Sequence, residues 1–298
     1  MFPGSLRVFY EAVKTGSIRR ASDSLGLAPS SVSRQVAILE REMGTALLER
    51  SVGGVVPTHA GHLVADYARS VILDYDSLRA DLNDLRGKRR GLIRIAVVEI
   101  MICESSGEAI RAFRLKNPDV SFQVQMLSAA GVTEALRRGE CDVGVTFCQP
   151  PDVDISIVAR VVDPIVLVVP PDHPFGDAAS VPVEAMRTLP LGLLDADLGV
   201  RRLADQVAHE AGFKLQPVLR SDSVEALRHF VRNGVGAALL TRRAVKRDED
   251  EGRLHSLDIQ HELLQTSTID VVTLRSRRSS RLLRAFVDDL IATLGSLE

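Results

Sequence analysis

Between residues 19 and 40 the chain reads RRASDSLGLAPSSVSRQVAILE. Ser30, Ser31, Ser33, Arg34 and Gln35 crowd onto the start of one helical run, with Pro29 in front of them. These side chains suit nucleic acid. Serine hydroxyls bond phosphate or base edges, arginine pairs bidentately with guanine, and glutamine does the same with adenine. The free N–H groups of a first helical turn also attract phosphate. No other motif assembles chemistry of comparable weight. There is no Gly-rich phosphate loop, metal-ligand spacing or nucleophile elbow, so no catalytic set, cofactor or metal is expected. Cys103, Cys141 and Cys148 are an odd number without metal spacing, which fits a reducing compartment.

The elements that must hold those residues are legible from periodicity. Leu6, Phe9 and Val13 mark one face of a helix, broken at Thr15-Gly16-Ser17. Ser17 suits the cap of a second helix, which turns Ile18, Ala21 and Leu25 inward and stops at Gly26. Pro29 opens the third helix, whose buried stripe is Val32, Val36, Leu39 and Met43. The polar residues fall off that stripe, mostly in the first two turns. Helices joined by a Gly-containing turn give helix-turn-helix geometry, with the third helix as the reader of DNA. Residues 46–50 then suit a strand, and 52–55 a hairpin turn, which together make a wing. On pattern alone, a small three-helix domain that binds no nucleic acid stays open.

Thr58 suits the cap of a long helix. Val64, Ala68, Val71, Tyr75, Leu78, Leu82 and Leu85 follow with alternating steps of 4 and 3, a heptad seam. About 28 residues would span roughly 42 Å. Such a seam with polar flanks points to a partner helix; packing on its own domain is the alternative. Gly87 ends the run and Lys88-Arg89-Arg90 makes a basic joint.

A chain of 298 residues with 45% hydrophobic content and net charge -2 accommodates two or three domains with sizeable cores. The first 90 residues carry +3 and the remainder -5, so the positive end lies with the polar helix. No signal-like or membrane-spanning apolar run is seen, so a cytoplasmic protein without a membrane partner is expected. From Gly91 onward short apolar runs at 92–98, 121–127, 142–147, 165–169, 191–194, 217–219, 236–240 and 269–274 alternate with helical stretches. That alternation predicts an α/β region with mainly parallel sheets. Ligands in such sheets sit beyond the carboxyl ends of strands.

The run Phe9, Gly16-Ser17, Ala21, Leu25, Val32-Ser33, Leu39-Glu40, Gly44, Leu47, Glu49-Arg50, Thr58, Ala60-Gly61 resembles the DNA-binding domain of the LysR-type transcriptional regulators. The resemblance continues through Phe113 with Asn117-Pro118, Gly139 to Gly144, His173-Pro174, Ser221 to Phe230 and Gly234-Val235-Gly236. It implies a winged helix-turn-helix over 1–58, a dimerising linker helix and joint over 59–90, and a two-lobed effector domain over 91–298. That domain would resemble type 2 periplasmic binding proteins, with lobe I at 91–161 and 267–298 and lobe II at 162–266. The implied partners are a double-stranded DNA operator, a small-molecule effector, and further copies as a homodimer or homotetramer. By position, Pro29, Ser30, Ser33 and Arg34 would meet bases and phosphates, and Arg50 a phosphate near the wing.

The chain departs from the family pattern at Ala28, which offers no capping hydroxyl, at Leu48, and at the uncharged Val52-Gly53-Gly54 wing. The strand-end loops 99–103, 128–131, 147–149, 195–200 and 221–222 are nominated for the effector, with Glu99, Ile100, Cys103, Ser128, Phe147, Gln149, Val200 and Arg201 as its candidate residues. Ile100 stands where some carboxylate-binding members carry a hydroxyl, which weakens the case for a small aromatic acid. Glu99 suggests a cation or several hydroxyls, or else an ion pair with an arginine such as Arg201. His173 is expected to be structural. Two other classes stay in view: a solute-binding or enzymatic α/β protein with an accessory helical domain, and a redox-sensing regulator using Cys103 and Cys148.

Overall fold

The computed structural model describes residues 4–51, 53–85, 91–99, 105–176 and 178–295. The chain divides into two compact units, Met1–Leu82 with Ser276–Ser280, and Asn83–Arg275 with Arg281–Glu298.

The first unit begins with α1 (Gly4–Thr15), α2 (Ile18–Leu25) and α3 (Pro29–Met43). Strands β1 (Leu48–Ser51) and β2 (Gly54–Pro57) and the long α4 (His59–Leu85) follow. Leu6, Phe9, Ala12, Ala21, Val32, Val36, Leu39 and Leu47 form one core. Ser17 caps α2 by accepting the Arg20 N–H, and Gly26 and Gly44 close α2 and α3 in the left-handed conformation. Glu40, on α3, accepts the N–H groups of Leu47 and Leu48 at 2.8 and 3.1 Å. One carboxylate thereby fixes the exit of α3 to the hairpin that follows. The antiparallel wing sits against the α1–α2 turn: Val55 N–H donates to the Gly16 carbonyl at 3.0 Å. A Cβ on Gly54 would lie 2.1 Å from that carbonyl oxygen, so only glycine fits there.

Two expectations change here. Met43, expected on the buried stripe of α3, is 48% exposed, because the last turn runs past the core and the stripe ends at Leu39. Ala68, expected on the partner seam, is fully buried in its own domain's core, with Val64 packed against that core. The outward face of the early helix carries Leu63 and Tyr67 instead, 63% and 62% exposed. A straight helix of 3.6 residues per turn drifts from a 3.5-residue seam, so one stripe serves the core first and solvent later. Further along, Tyr75, Leu78 and Leu82 are exposed and Val71 is half-buried. The side chain of Leu85 lies outside the described residues.

The second unit holds two sheets. In the first, β3 (Gly91–Val97), β4 (Val120–Met126), β5 (Val143–Phe147), β6 (Ile155–Val162) and β13 (Thr268–Leu274) take the order β4-β3-β5-β13-β6. Helices α5 (Ser105–Lys116), α6 (Ala129–Arg137) and α11 (Arg281–Gly295) accompany it. The second sheet takes the order β10-β9-β11-β7-β12-β8. Its strands are β7 (Ile165–Val169), β8 (Ser180–Val181), β9 (Leu191–Leu194), β10 (Pro217–Ser221), β11 (Ala237–Thr241) and β12 (His255–Ile259). Helices α7 (Gly199–Glu210), α8 (Val224–Arg232), α9 (Arg242–Asp250) and α10 (Glu262–Gln265) belong to it.

The expectation of mainly parallel sheets is corrected. Both sheets are mixed, with β13 antiparallel to β5 and β6, and β7 antiparallel to β11 and β12. The returning strands cause this, since each lobe is closed by chain arriving from the other. Two segments cross between the lobes and are tied together. Asp163 N–H donates to the Ser267 carbonyl at 2.8 Å, and the Ser267 hydroxyl donates to the Asp163 carbonyl at 2.7 Å.

Candidate functional site

The first two turns of α3 present Pro29, Ser30, Ser31, Ser33 and Arg34 to solvent, with Gln35 half-buried beside them. Val32 and Val36 anchor the opposite face in the core, so the polar residues must point outward. No side chain caps the helix at Ala28, which has extended backbone, and Pro29 follows at the first position. Among the described residues, Arg34 forms no hydrogen bond or ion pair within the chain. The result is an exposed helix end with hydroxyls and a free guanidinium, both suited to an anionic polymer, while the Ser31 and Val32 N–H groups already bond the Ala28 carbonyl at 2.9 and 3.2 Å. Arg50 stands on β1 opposite Val55, and its side chain lies outside the described residues, as does Val52 in the wing.

The second unit offers a cavity of about 30 Å³ where strand ends and helix starts of the two sheets meet. That is room for one or two water molecules. Val98, Glu99, Ala129, Phe147, Leu194, Asp197, Leu198, Gly199, Val200 and Val224 line it. Glu99, Phe147 and Val200 are thus brought together as expected of cleft residues. A Cβ on Gly199 would lie 2.8 Å from the Phe147 ring, so this glycine lets α7 approach the aromatic wall. Ser128 caps α6 instead of facing the cavity directly, accepting the Gly131 N–H at 3.1 Å.

Two nominated residues are engaged elsewhere. The Gln149 N–H donates to the buried Asp270 carboxylate at 2.8 Å, and its Nε2 donates to the Pro150 carbonyl. Arg201 pairs with Asp205 one turn along α7 at 2.8 Å and donates to the Leu194 carbonyl. It therefore does not meet Glu99. Glu99 instead accepts the Val224 N–H at 2.9 Å, at the first residue of α8. Burial pushes the Glu99 carboxyl above its ordinary range, and the Val224 and Ser223 hydrogen bonds only partly offset this. Ile100 and Cys103 lie outside the described residues.

Ala129, Asp197, Leu198 and Gly199 fall in the nominated loops 128–131 and 195–200, whereas Val98, Leu194 and Val224 lie just outside the nominated loops. These three are apolar, and only their position at strand ends and helix starts could have signalled them. The cysteines give the redox reading little support. Cys141 is buried, and burial pushes the Cys148 thiol up, away from thiolate character. His173 accepts the Phe175 N–H within its own turn, a structural task. Among the described residues no His/Cys/Asp/Glu group could hold a metal ion, and no helix is long and apolar enough to cross a membrane.

An exposed winged helix-turn-helix followed in the chain by two α/β lobes around a cleft defines a ligand-responsive DNA-binding regulator. Comparison with known proteins agrees. Residues 4–62 match the family described as bacterial regulatory helix-turn-helix protein, lysR family, and residues 86–295 match the LysR substrate binding domain. The chain belongs to the LysR family of DNA-binding transcription regulators with an effector-binding domain. A relative from Cyanophora paradoxa, described as "Probable RuBisCO transcriptional regulator", is 26% identical over 301 residues, covering 98% of this chain and 92% of its own. The fold is also that of full-length OxyR from Pseudomonas aeruginosa (TM-score 0.76, 20% identity, 99% and 94% of the two chains). A further likeness is CbnR, solved with its target DNA (TM-score 0.58, 18% identity, 98% and 100%).

Proposed function

We propose that the chain reads an operator through Pro29, Ser30, Ser31, Ser33, Arg34, Gln35 and Arg50, and that a small molecule in the interlobe cleft sets its regulatory state. The observation that carries this is the first two turns of α3, whose polar side chains are exposed and whose Arg34 has no partner among the described residues. In this reading residues 1–58 form the DNA-reading domain, 59–90 the linker and joint, and 91–298 the effector domain, lobe I taking 91–161 and 267–298 and lobe II 162–266. Exposed Tyr75, Leu78 and Leu82 support a seam between copies, which would set two reading helices on successive half-sites as a homodimer or homotetramer. Glu99, Phe147 and Val200 hold the effector. The protein works in the cytoplasm as a regulator and not as a catalyst. A ligand acts only through unequal affinity for the open and closed lobes.

The test is operator binding at fixed salt. Arg34→Ala should weaken it, and unchanged affinity would overturn the assignment of α3. Genomic footprinting of the purified protein supplies the operator, and the RuBisCO genes named for the relative are the first place to look.

A further inference from the structure

The cleft already contains a carboxylate. Glu99 reaches from the end of β3 in the first sheet to the start of α8 beside the second. There its Oε1 takes the Val224 N–H at 2.9 Å, with Ser223 beside it. A helix N-terminus is where an acidic ligand would be held. Here a side chain of the protein itself holds that position and links the two lobes. The other oxygen, Oε2, is buried without a hydrogen-bond partner. Around it the charges are of one sign. Asp197 lines the cavity and Asp222 precedes α8, while no lysine, arginine or histidine is among the described lining residues. Arg201, the cation nearest in sequence to that wall, is held by Asp205.

Resting on the assignment of the cleft as the effector site, we propose that Glu99 is its specificity-determining residue. It excludes carboxylates from the α8 N-terminus and leaves Oε2 to pair with the ammonium group of a small ligand. A buried carboxylate oxygen without a partner is an unmet demand for a donor, and an ammonium supplies both donor and charge. The small cavity limits the remainder of the ligand to a few heavy atoms, unless the lobes open further. The upward push on the Glu99 carboxyl agrees, because the cleft resists a charge that a neighbouring cation would neutralise. Asp197 and Asp222 add to that resistance.

Three probes sharing an ethyl frame separate the possibilities: ethylammonium, which carries the cation alone, alanine, which carries both charges, and propionate, which carries the acid alone. Each is titrated into the full-length protein by calorimetry and thermal shift, for wild type, Glu99→Gln and Glu99→Ala. Wild type should bind ethylammonium or alanine and ignore propionate. Whichever of the two binds identifies the source of the ammonium group. Glu99→Gln should weaken that binding at least about tenfold, the size of one charge-assisted hydrogen bond. Glu99→Ala, which frees the α8 N-terminus, should gain propionate binding. The proposal is overturned if wild type takes propionate as well as it takes the ammonium probes, if Glu99→Gln keeps the ammonium response, or if wild type takes none of the three. Propionate binding by Glu99→Ala separates the failures. If it appears while the ammonium response does not, the cleft assignment stands and only the role of Glu99 falls. If Glu99→Ala binds nothing either, the cleft assignment falls with it.

Discussion

Helix α3 begins at Ala28 and Pro29 with no side chain closing its first turn, whereas α8 begins at Ser223 with two groups on it. The Ser223 hydroxyl accepts the Ala226 N–H, and the Glu99 carboxylate accepts the Val224 N–H. Both ends offer the same chemistry, a cluster of N–H groups with partial positive charge. One is left open on the surface beside serines and Arg34. The other is filled from across a cleft by the protein's own acid. An open end suits an anion that arrives from outside, and a filled end reports on whether the filling group stays. Under the proposed function the two ends would serve the two tasks of the family, reading DNA and sensing a small molecule.

Releasing α8 from its support should do the most damage. Asp248, on α9, is fully buried and bonds Arg228 and Arg232 of α8 at 2.6 and 2.7 Å, with Arg253 at 2.9 Å. Burial alone would raise the Asp248 carboxyl, but Arg232 and Arg228 outweigh it and hold it below the ordinary value. Asp248→Ala leaves Arg228 buried without its main partner and should cost about 3–5 kcal/mol of stability. Chemical denaturation of the full-length protein measures this. A loss below about 1 kcal/mol would mean that the guanidinium groups are readily rehydrated and that α8 does not depend on this anchor.

At the open end the expected effect is on binding. Arg34→Ala should weaken operator affinity by about 1–3 kcal/mol, roughly five- to 150-fold. The salt dependence sharpens the result. If Arg34 meets a phosphate, its removal lowers the slope of log affinity against log salt by about one. If it meets a base, the slope stays and sequence preference relaxes. Either outcome supports an open end built for DNA, and no change in either quantity opposes it.

Much of this was legible in the sequence, and the parts that were not share a cause. The α3 face could be read because Val32, Val36 and Leu39 fix its rotation, and everything else on the first turns must then face water. The strands with continuous apolar runs, such as β7 and β11, were legible for the same reason. Strand β6 was missed because Arg160 interrupts it, and β12 because HSLDI is half polar. Helix α9 was missed because it is nearly all charged and buries only Val245 and Asp248, the latter through ion pairs that no hydropathy pattern records. The bridge from Glu99 to Val224 joins residues 125 positions apart, so only the folded lobes bring it about. Ala68 shows the converse error, since a heptad count cannot tell a partner's surface from the chain's own core.

Closing the open end is the next, smaller perturbation. Ala28→Ser supplies the missing cap and should stabilise the first turn of α3 by about 1 kcal/mol. Hydrogen exchange of the Ser30 amide, with and without operator, reads the effect, since Ser31 and Val32 already bond the Ala28 carbonyl. In wild type the Ser30 amide should gain protection when phosphate arrives, and in Ala28→Ser it should be protected beforehand and gain less. Equal protection in wild type with and without operator would mean that the open end is already ordered and needs no anion.

Opening the filled end by titration gives the smallest effect, because Glu99 is partly exposed and solvent screens it. The folded cleft holds this carboxyl above its ordinary value of 4.5. A raised carboxyl favours the folded state while protonated. Its contribution is therefore fully present below about pH 4.5 and is lost as the pH rises through the higher folded value. Wild type should thus lose a little stability relative to Glu99→Gln across that window, since glutamine keeps the protonated shape at every pH. Paired thermal melts from about pH 4 to about pH 8 test this. A wild-type advantage that grows toward neutral pH would instead show that the Val224 and Ser223 hydrogen bonds outweigh burial. The ionised carboxylate would then be what holds the lobes together.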